Sequence, residues 1–258
     1  MKNKKKLISA MIAAGIVLTA SVAYADSFQQ TAETQQIQAA FVGAQEVLLE
    51  MGKFHSESPS ITGTTSDLTE QVRAANIKAY TDKVKQYYSE NSTVRQKYID
   101  KYTFLIDDAY KTKVNYIVDC GVLDCDLNRV SYSDNGNTAT IQVTFTVYNK
   151  WVGETDSDQF DVAAPINKSQ ATVVMVKEDG NWKLLETKDW NMGYADNVAE
   201  KLQAKAATAS NDSELSETVQ AIQEAQEICI TEYPTFQEAL DAANQIDARE
   251  INPFALES

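Results

Sequence analysis

Histidine, cysteine and positive charge are the scarce things in this sequence, and each scarcity removes a class of chemistry. The chain holds one histidine, His55, in 258 residues, so no mechanism that depends on paired imidazoles can be built. Its three cysteines, Cys120, Cys125 and Cys229, are too few for a disulfide scaffold, and with one histidine they cannot furnish the about four ligands that a zinc site takes. Lys and Arg number 23 against 37 Asp and Glu, for a formal charge of −14. That balance argues against nucleic acid and against an anionic membrane surface as partner, because both need a positive face. No cofactor and no metal are expected.

Apolar runs long enough to cross a bilayer are missing as well. The run from Leu7 to Thr19 falls short of the roughly 20 residues a membrane helix needs. It follows Lys2, Lys4, Lys5 and Lys6 and precedes Ala23-Tyr24-Ala25, which is the build of a secretory signal over residues 1–25. With no cysteine near that junction a lipid anchor is not expected. The mature chain is expected to be exported and soluble, periplasmic or extracellular, with no membrane span. Without the four lysines of the signal its formal charge falls from −14 to −18.

What is present is a long alternating strand. From Thr138 to Trp151, Ala139, Ile141, Val143, Phe145, Val147 and Trp151 fall on one side, while Thr140, Gln142, Thr144, Thr146 and Lys150 fall on the other. Successive strand side chains point to opposite faces, so one face lies on a core and the other is wet. Further strands are predicted over Val114 to Val118, Leu127 to Ser133, Ala171 to Glu178 and Asn181 to Asp189. Asp134-Asn135-Gly136-Asn137 and Glu178-Asp179-Gly180-Asn181 are hairpin turns, since Asn-Gly and Asp-Gly tolerate positive φ. Cys120 and Cys125 flank Gly121-Val122-Leu123-Asp124, a spacing that a tight turn can close as a small-loop disulfide, leaving Cys229 over; buried thiols are the other reading.

Ahead of the strands the period is helical. Ile37, Phe41, Ala44, Leu48 and Met51 mark a helix from Gln36 to Met51 ended by Gly52. His55 to Ser66 reads as a loop. Asp67 and Glu70 have capping-box spacing before a helix to about Ser89, and a second helix starts near Asn91 and buries Val94, Tyr98, Tyr102, Leu105 and Ala109. Helices followed by antiparallel hairpins make the class α+β.

This succession, ending in Ala171-Thr172-Val173-Val174-Met175-Val176-Lys177-Glu178-Asp179-Gly180-Asn181-Trp182-Lys183-Leu184, resembles the NTF2-like superfamily, also called SnoaL-like or cystatin-like. The resemblance implies a cone, in which helices close one side of a curved antiparallel sheet around a pocket. It divides the chain into the signal, an N-terminal helix and linker over 26–66, the cone domain over 67–193 and an acidic helical region over 194–258. The superfamily contains isomerases and dehydratases beside non-catalytic members. With no histidine in the domain, a dehydratase-type mechanism is not expected. An acid and base pair would have to come from Tyr102 or Tyr116 with Asp107 or Asp119. The residues that would line the cone are Tyr98, Tyr102, Tyr116, Phe145 and Trp151, although aromatic residues at helical spacing also serve as core.

Between Trp151 and Gln170, Glu154, Asp156, Asp158 and Asp161 lack the glycine and closing glutamate of a calcium loop, so this stretch reads as a solvated edge strand or loop. From Tyr194 onward 13 acids stand against 3 bases. Leu202, Leu215, Val219 and Ile222 mark helices there, and Thr235 with Glu238 caps another. Their apolar stripes are too narrow to stand alone, so they pack on the domain or on a partner. The function expected is a non-catalytic binding or interaction module for a small apolar ligand or a protein partner, with homodimerisation among its options. The alternatives are a small ketosteroid-isomerase-like enzyme and an envelope-associated structural protein.

Overall fold

The computed structural model describes residues 31–53, 69–109, 116–194 and 213–256, with single positions between 202 and 208. The signal, His55, Asp67 and Val114 lie outside the described residues. Helix α1 spans Ala32–Leu49 and runs into a tight turn over Glu50–Gly52. Thr31 starts it, its hydroxyl accepting from the Thr34 N–H at 3.2 Å. Helix α2 covers Glu70–Tyr87, with Thr69 as its cap accepting from Val72 N–H at 3.2 Å, and α3 covers Arg95–Ala109. The strands are β1 Tyr116–Tyr132, β2 Thr138–Glu154, β3 Phe160–Ala163, β4 Ile166–Glu178 and β5 Asn181–Tyr194. Helices α4, Ser213–Ile230, and α5, Phe236–Gln245, follow, and a short turn over Pro253–Leu256 ends the described chain.

All pairings in the sheet are antiparallel, in the order β1-β2-β4-β5, with β3 beside the far end of β2. The chain is therefore α+β, with helices packed on a curved antiparallel sheet. The hairpin signals locate both turns. Asp179 and Gly180 have φ of 52° and 81° and Gly136 has φ of 69°, the left-handed values that Asn, Asp and Gly reach at low cost.

One expectation fails at β1. The two segments predicted as strands here are, where described, not joined by a cysteine-closed turn: Tyr116–Tyr132 is one strand, with Cys120 opposite Asn149 and Cys125 opposite Phe145. Five extended residues span about 16 Å, whereas disulfide Cα atoms lie within about 7 Å, so the bridge cannot form and both thiols are free. Gly121, which suggests a turn, serves another purpose: a Cβ there would sit 3.1 Å from the Tyr148 ring on β2. Of the edge strand or loop read after Trp151, the structure has an edge strand, since β2 continues to Glu154 and β3 pairs beside it, though with Val162 buried rather than solvated.

Two separate cores form on the two faces of the sheet. The first gathers Ala139, Ile141, Val143 and Phe145 of β2 with Val173 and Met175 of β4, under α1, α2 and α3. Helix α1, which the sequence places ahead of the cone domain, lies at its centre: Ile37, Phe41, Ala44 and Val47 are fully buried. Gly43 lets it approach α2, because a Cβ there would overlap the Tyr87 ring. The second core lies on the opposite face. The outward side of β2 is polar through Thr140, Gln142 and Thr144, then turns to Tyr148, Lys150 and Val152. There α4, α5 and the closing turn pack Leu215, Ile222, Ala239 and Phe254 onto Val152, Val162 and Ile166.

Candidate functional site

The first face of the sheet is where a cone pocket belongs, and aromatic side chains fill its centre. Phe41 of α1 meets Phe145 edge-on, with ring centroids 5.1 Å apart, and both are buried. The tyrosines of α2 and α3 hold α1 in this position. Tyr80 and Tyr88 donate their hydroxyls to the carbonyls of Val47 and Ala44, at 3.1 and 2.9 Å. Tyr102 stacks on Tyr80 at 4.0 Å and donates to the Lys53 carbonyl at 3.4 Å. Tyr98 packs edge-on against Tyr88 at 5.3 Å. Burial pushes the Tyr80, Tyr88 and Tyr98 phenols above their ordinary range, which keeps them protonated donors rather than acids of catalytic use. A tyrosine can bury its ring while its hydroxyl satisfies a backbone carbonyl, which suits it to clamping one helix onto two others.

The five residues expected to line one cavity are therefore divided. Phe145 lies against α1, Tyr98 and Tyr102 lie in the helix layer, and Trp151 is half-buried opposite Ile117 and Ala163. Tyr116 packs against Phe236 of α5, 5.5 Å away.

The carboxylates are divided as well. Asp107 forms a two-point ion pair with Arg73, at 2.5 and 2.8 Å, which fixes α2 against α3 and raises the Arg73 pKa through that hydrogen bond first. Asp119 sits half-exposed on the rim at β1. It accepts from the Tyr148 hydroxyl at 2.8 Å and from the Cys120 N–H at 3.0 Å, with Lys53 4.0 Å away. Tyr148 belongs to the second face, and burial, reinforced by Asp119, raises its phenol. This acid and tyrosine do meet, but at the sheet rim, and neither is Tyr102 or Tyr116. Burial pushes the Cys120 and Cys125 thiols up to about 12, so they are protonated and unreactive at neutral pH.

Two features of the molecule lie outside the residues expected from the sequence. The first is Lys150, 7% exposed beneath the C-terminal helices, whose ammonium donates to the Ile246 carbonyl at 2.9 Å. Ile246 closes the C-terminus of α5, where the helix dipole favours a cation. Burial lowers the Lys150 pKa, opposed by Asp119 and Asp247. The second is the β5 rim. The β1 edge is broken by three register shifts and carries Asp119, Asp124 and Asp126, the usual devices against strand addition. The first half of β5 has two such shifts, and its Leu184 carbonyl accepts from Ser89 N–H at 2.9 Å. From Asp189 to Tyr194 the register is regular. Among the described residues no strand pairs with its outer side, and Trp190 and Met192 are 40% and 42% exposed. Trp190 donates to Ser169 Oγ at 3.2 Å and lies 5.6 Å from the Phe145 ring. The signal for this rim was the alternation of Trp190 and Met192, which continues the strand beyond Asp189.

Comparison with known proteins adds little. No family model and no curated protein matches the chain. A solved structure of the intermembrane space region of the chloroplast protein ARC6 matches 64% of this chain and 98% of that one, at 9% identity and a TM-score of 0.38. That likeness carries no argument about this chain.

Proposed function

We propose that this chain is an exported, non-catalytic interaction module, an NTF2-like scaffold whose interior is spent on its own helix and whose recognition is done by its surface. One observation carries the reading: Phe41 of α1 occupies the face of the sheet where a ligand would lie, seated on Phe145 and held by tyrosine hydroxyls on the α1 carbonyls. A filled, hydrogen-bonded core leaves no room for a substrate between Phe41 and Phe145. The outer side of β5 offers what a protein partner can use, unpaired backbone groups beside an exposed Trp190 and Met192. The enzyme alternative would draw on Asp119 and Tyr148 at the sheet rim, or on Glu46 of α1, whose carboxyl pKa is raised by burial.

The test is site-specific photo-crosslinking in the host that exports the protein, with the crosslinking side chain placed at 190 or at 104, alongside native mass spectrometry of the untreated protein. Crosslinks to a protein at 190 and none at 104, on a chain that carries no bound small molecule, are the expected result. A small apolar molecule retained in stoichiometric amount, and lost on Phe145→Trp, would contradict it.

A further inference from the structure

A cleft of about 400 Å³ opens between the last turns of α4 and the chain leaving α5. Its floor is apolar, with Ala225, Ile246 and Ile251 buried and Ile228 half-buried. Its rim carries Glu224, Glu227, Asp247 and Glu250, all exposed, and among the described residues no lysine or arginine lines it. Among the described residues no group of carboxylates, thiols or imidazoles is placed to hold a metal ion, so this rim does not converge on a small cation. It spreads negative charge around an apolar trough. Lysine and arginine match both parts, with methylene stems that bury against apolar surface and heads that stay at a wet, anionic rim.

We infer that this cleft docks a basic, amphipathic segment of a partner protein, an inference that rests on the interaction-module reading and names its partner's chemistry. Charge complementarity selects that occupant. The region from Tyr194 holds 13 acids against 3 bases, which draws a cationic segment in and steers it. A second copy of this chain is disfavoured at the same place, because it would bring acid to acid. The cleft volume lies in the range of sites that take several side chains or a small ligand, and the apolar floor separates this site from a merely acidic surface.

Fluorescence anisotropy with the mature chain and a labelled amphipathic peptide of Leu, Lys and Arg tests it, with spermine as competitor. Saturable one-to-one binding that weakens with salt is expected. The triple variant Glu224→Gln, Glu227→Gln, Glu250→Gln should lose about tenfold or more in affinity, and Ile228→Gln should weaken binding too. The control Asp82→Asn, Glu90→Gln, Asp100→Asn removes the same charge elsewhere and should bind as the parent does. Equal losses in both triple variants would overturn the site. Spermine binding as tightly as the peptide, with Ile228→Gln without effect, would overturn the protein partner. Failure of the peptide while crosslinks at 190 persist would remove the cleft and leave the module reading standing; loss of those crosslinks would count against the module itself.

Discussion

Phe41→Ala should destabilise the protein by about 3–5 kcal/mol, the range for truncating a large aromatic in a core that cannot collapse around the gap. Phe41 is fully buried and edge-on to Phe145, and both rings are fixed by neighbours that cannot follow. Its helix is hydrogen-bonded to Tyr80 and Tyr88, and Phe145 is pinned in the middle of β2 between β1 and β4. A whole domain has about 5–15 kcal/mol of stability, so this one substitution should bring the chain close to unfolding. Phe104→Ala is the matched control, since Phe104 is 66% exposed on α3, and should change stability by no more than about 0.5 kcal/mol. Urea melts of the two variants check this. Similar midpoints would mean that α1 is laid over the sheet rather than built into it.

The second large effect concerns the C-terminal helices. A chain ending at Tyr194 should keep a cooperative transition, because among the described residues the first core draws none from beyond β5. It should nevertheless lose several kcal/mol and bind a hydrophobic dye. Val152, Val162 and Ile166 are nearly fully buried by the second core, and exposing such a side chain costs about 1.5–3 kcal/mol. Lys150 would lose its carbonyl partner and return to water, which offsets part of that cost. Introducing Val152→Thr, Val162→Thr and Ile166→Thr into the shortened chain should suppress the dye signal without restoring the midpoint. A shortened chain with the parent midpoint and no dye binding would mean that the helices are accessory.

Local signals were legible in the sequence and long-range cover was not. The strand through Ile141, Val143 and Phe145, the turns at Gly136 and Gly180, and the Thr235 cap of α5 all depend on neighbours a few residues away, so pattern and turn chemistry locate them. Lys150 illustrates the limit. Alternation assigns it to the face opposite Phe145, but only the packing of α5, 96 residues further on, decides that this face is buried there and wet at Gln142. Gly121 illustrates another: glycine marks both a turn and a close approach, and the ring it admits comes from Tyr148 on the neighbouring strand. The tyrosines of α2 and α3 were legible as an aromatic cluster. Their use as clamps was not, because it depends on where α1 lies.

Native-state hydrogen exchange tests most directly whether the interior is a core or a covered pocket. If α1 is part of the core, the amides of Phe41, Ala44 and Val47 should open only with the whole molecule, and their protection should match that of Ile141 and Val143 on β2 within about tenfold. Exchange of α1 about a hundredfold or more faster than β2 would show that the helix lifts while the sheet stays folded. The face beneath Phe41 would then be a gated ligand site, which contradicts an interior filled by the protein's own helix.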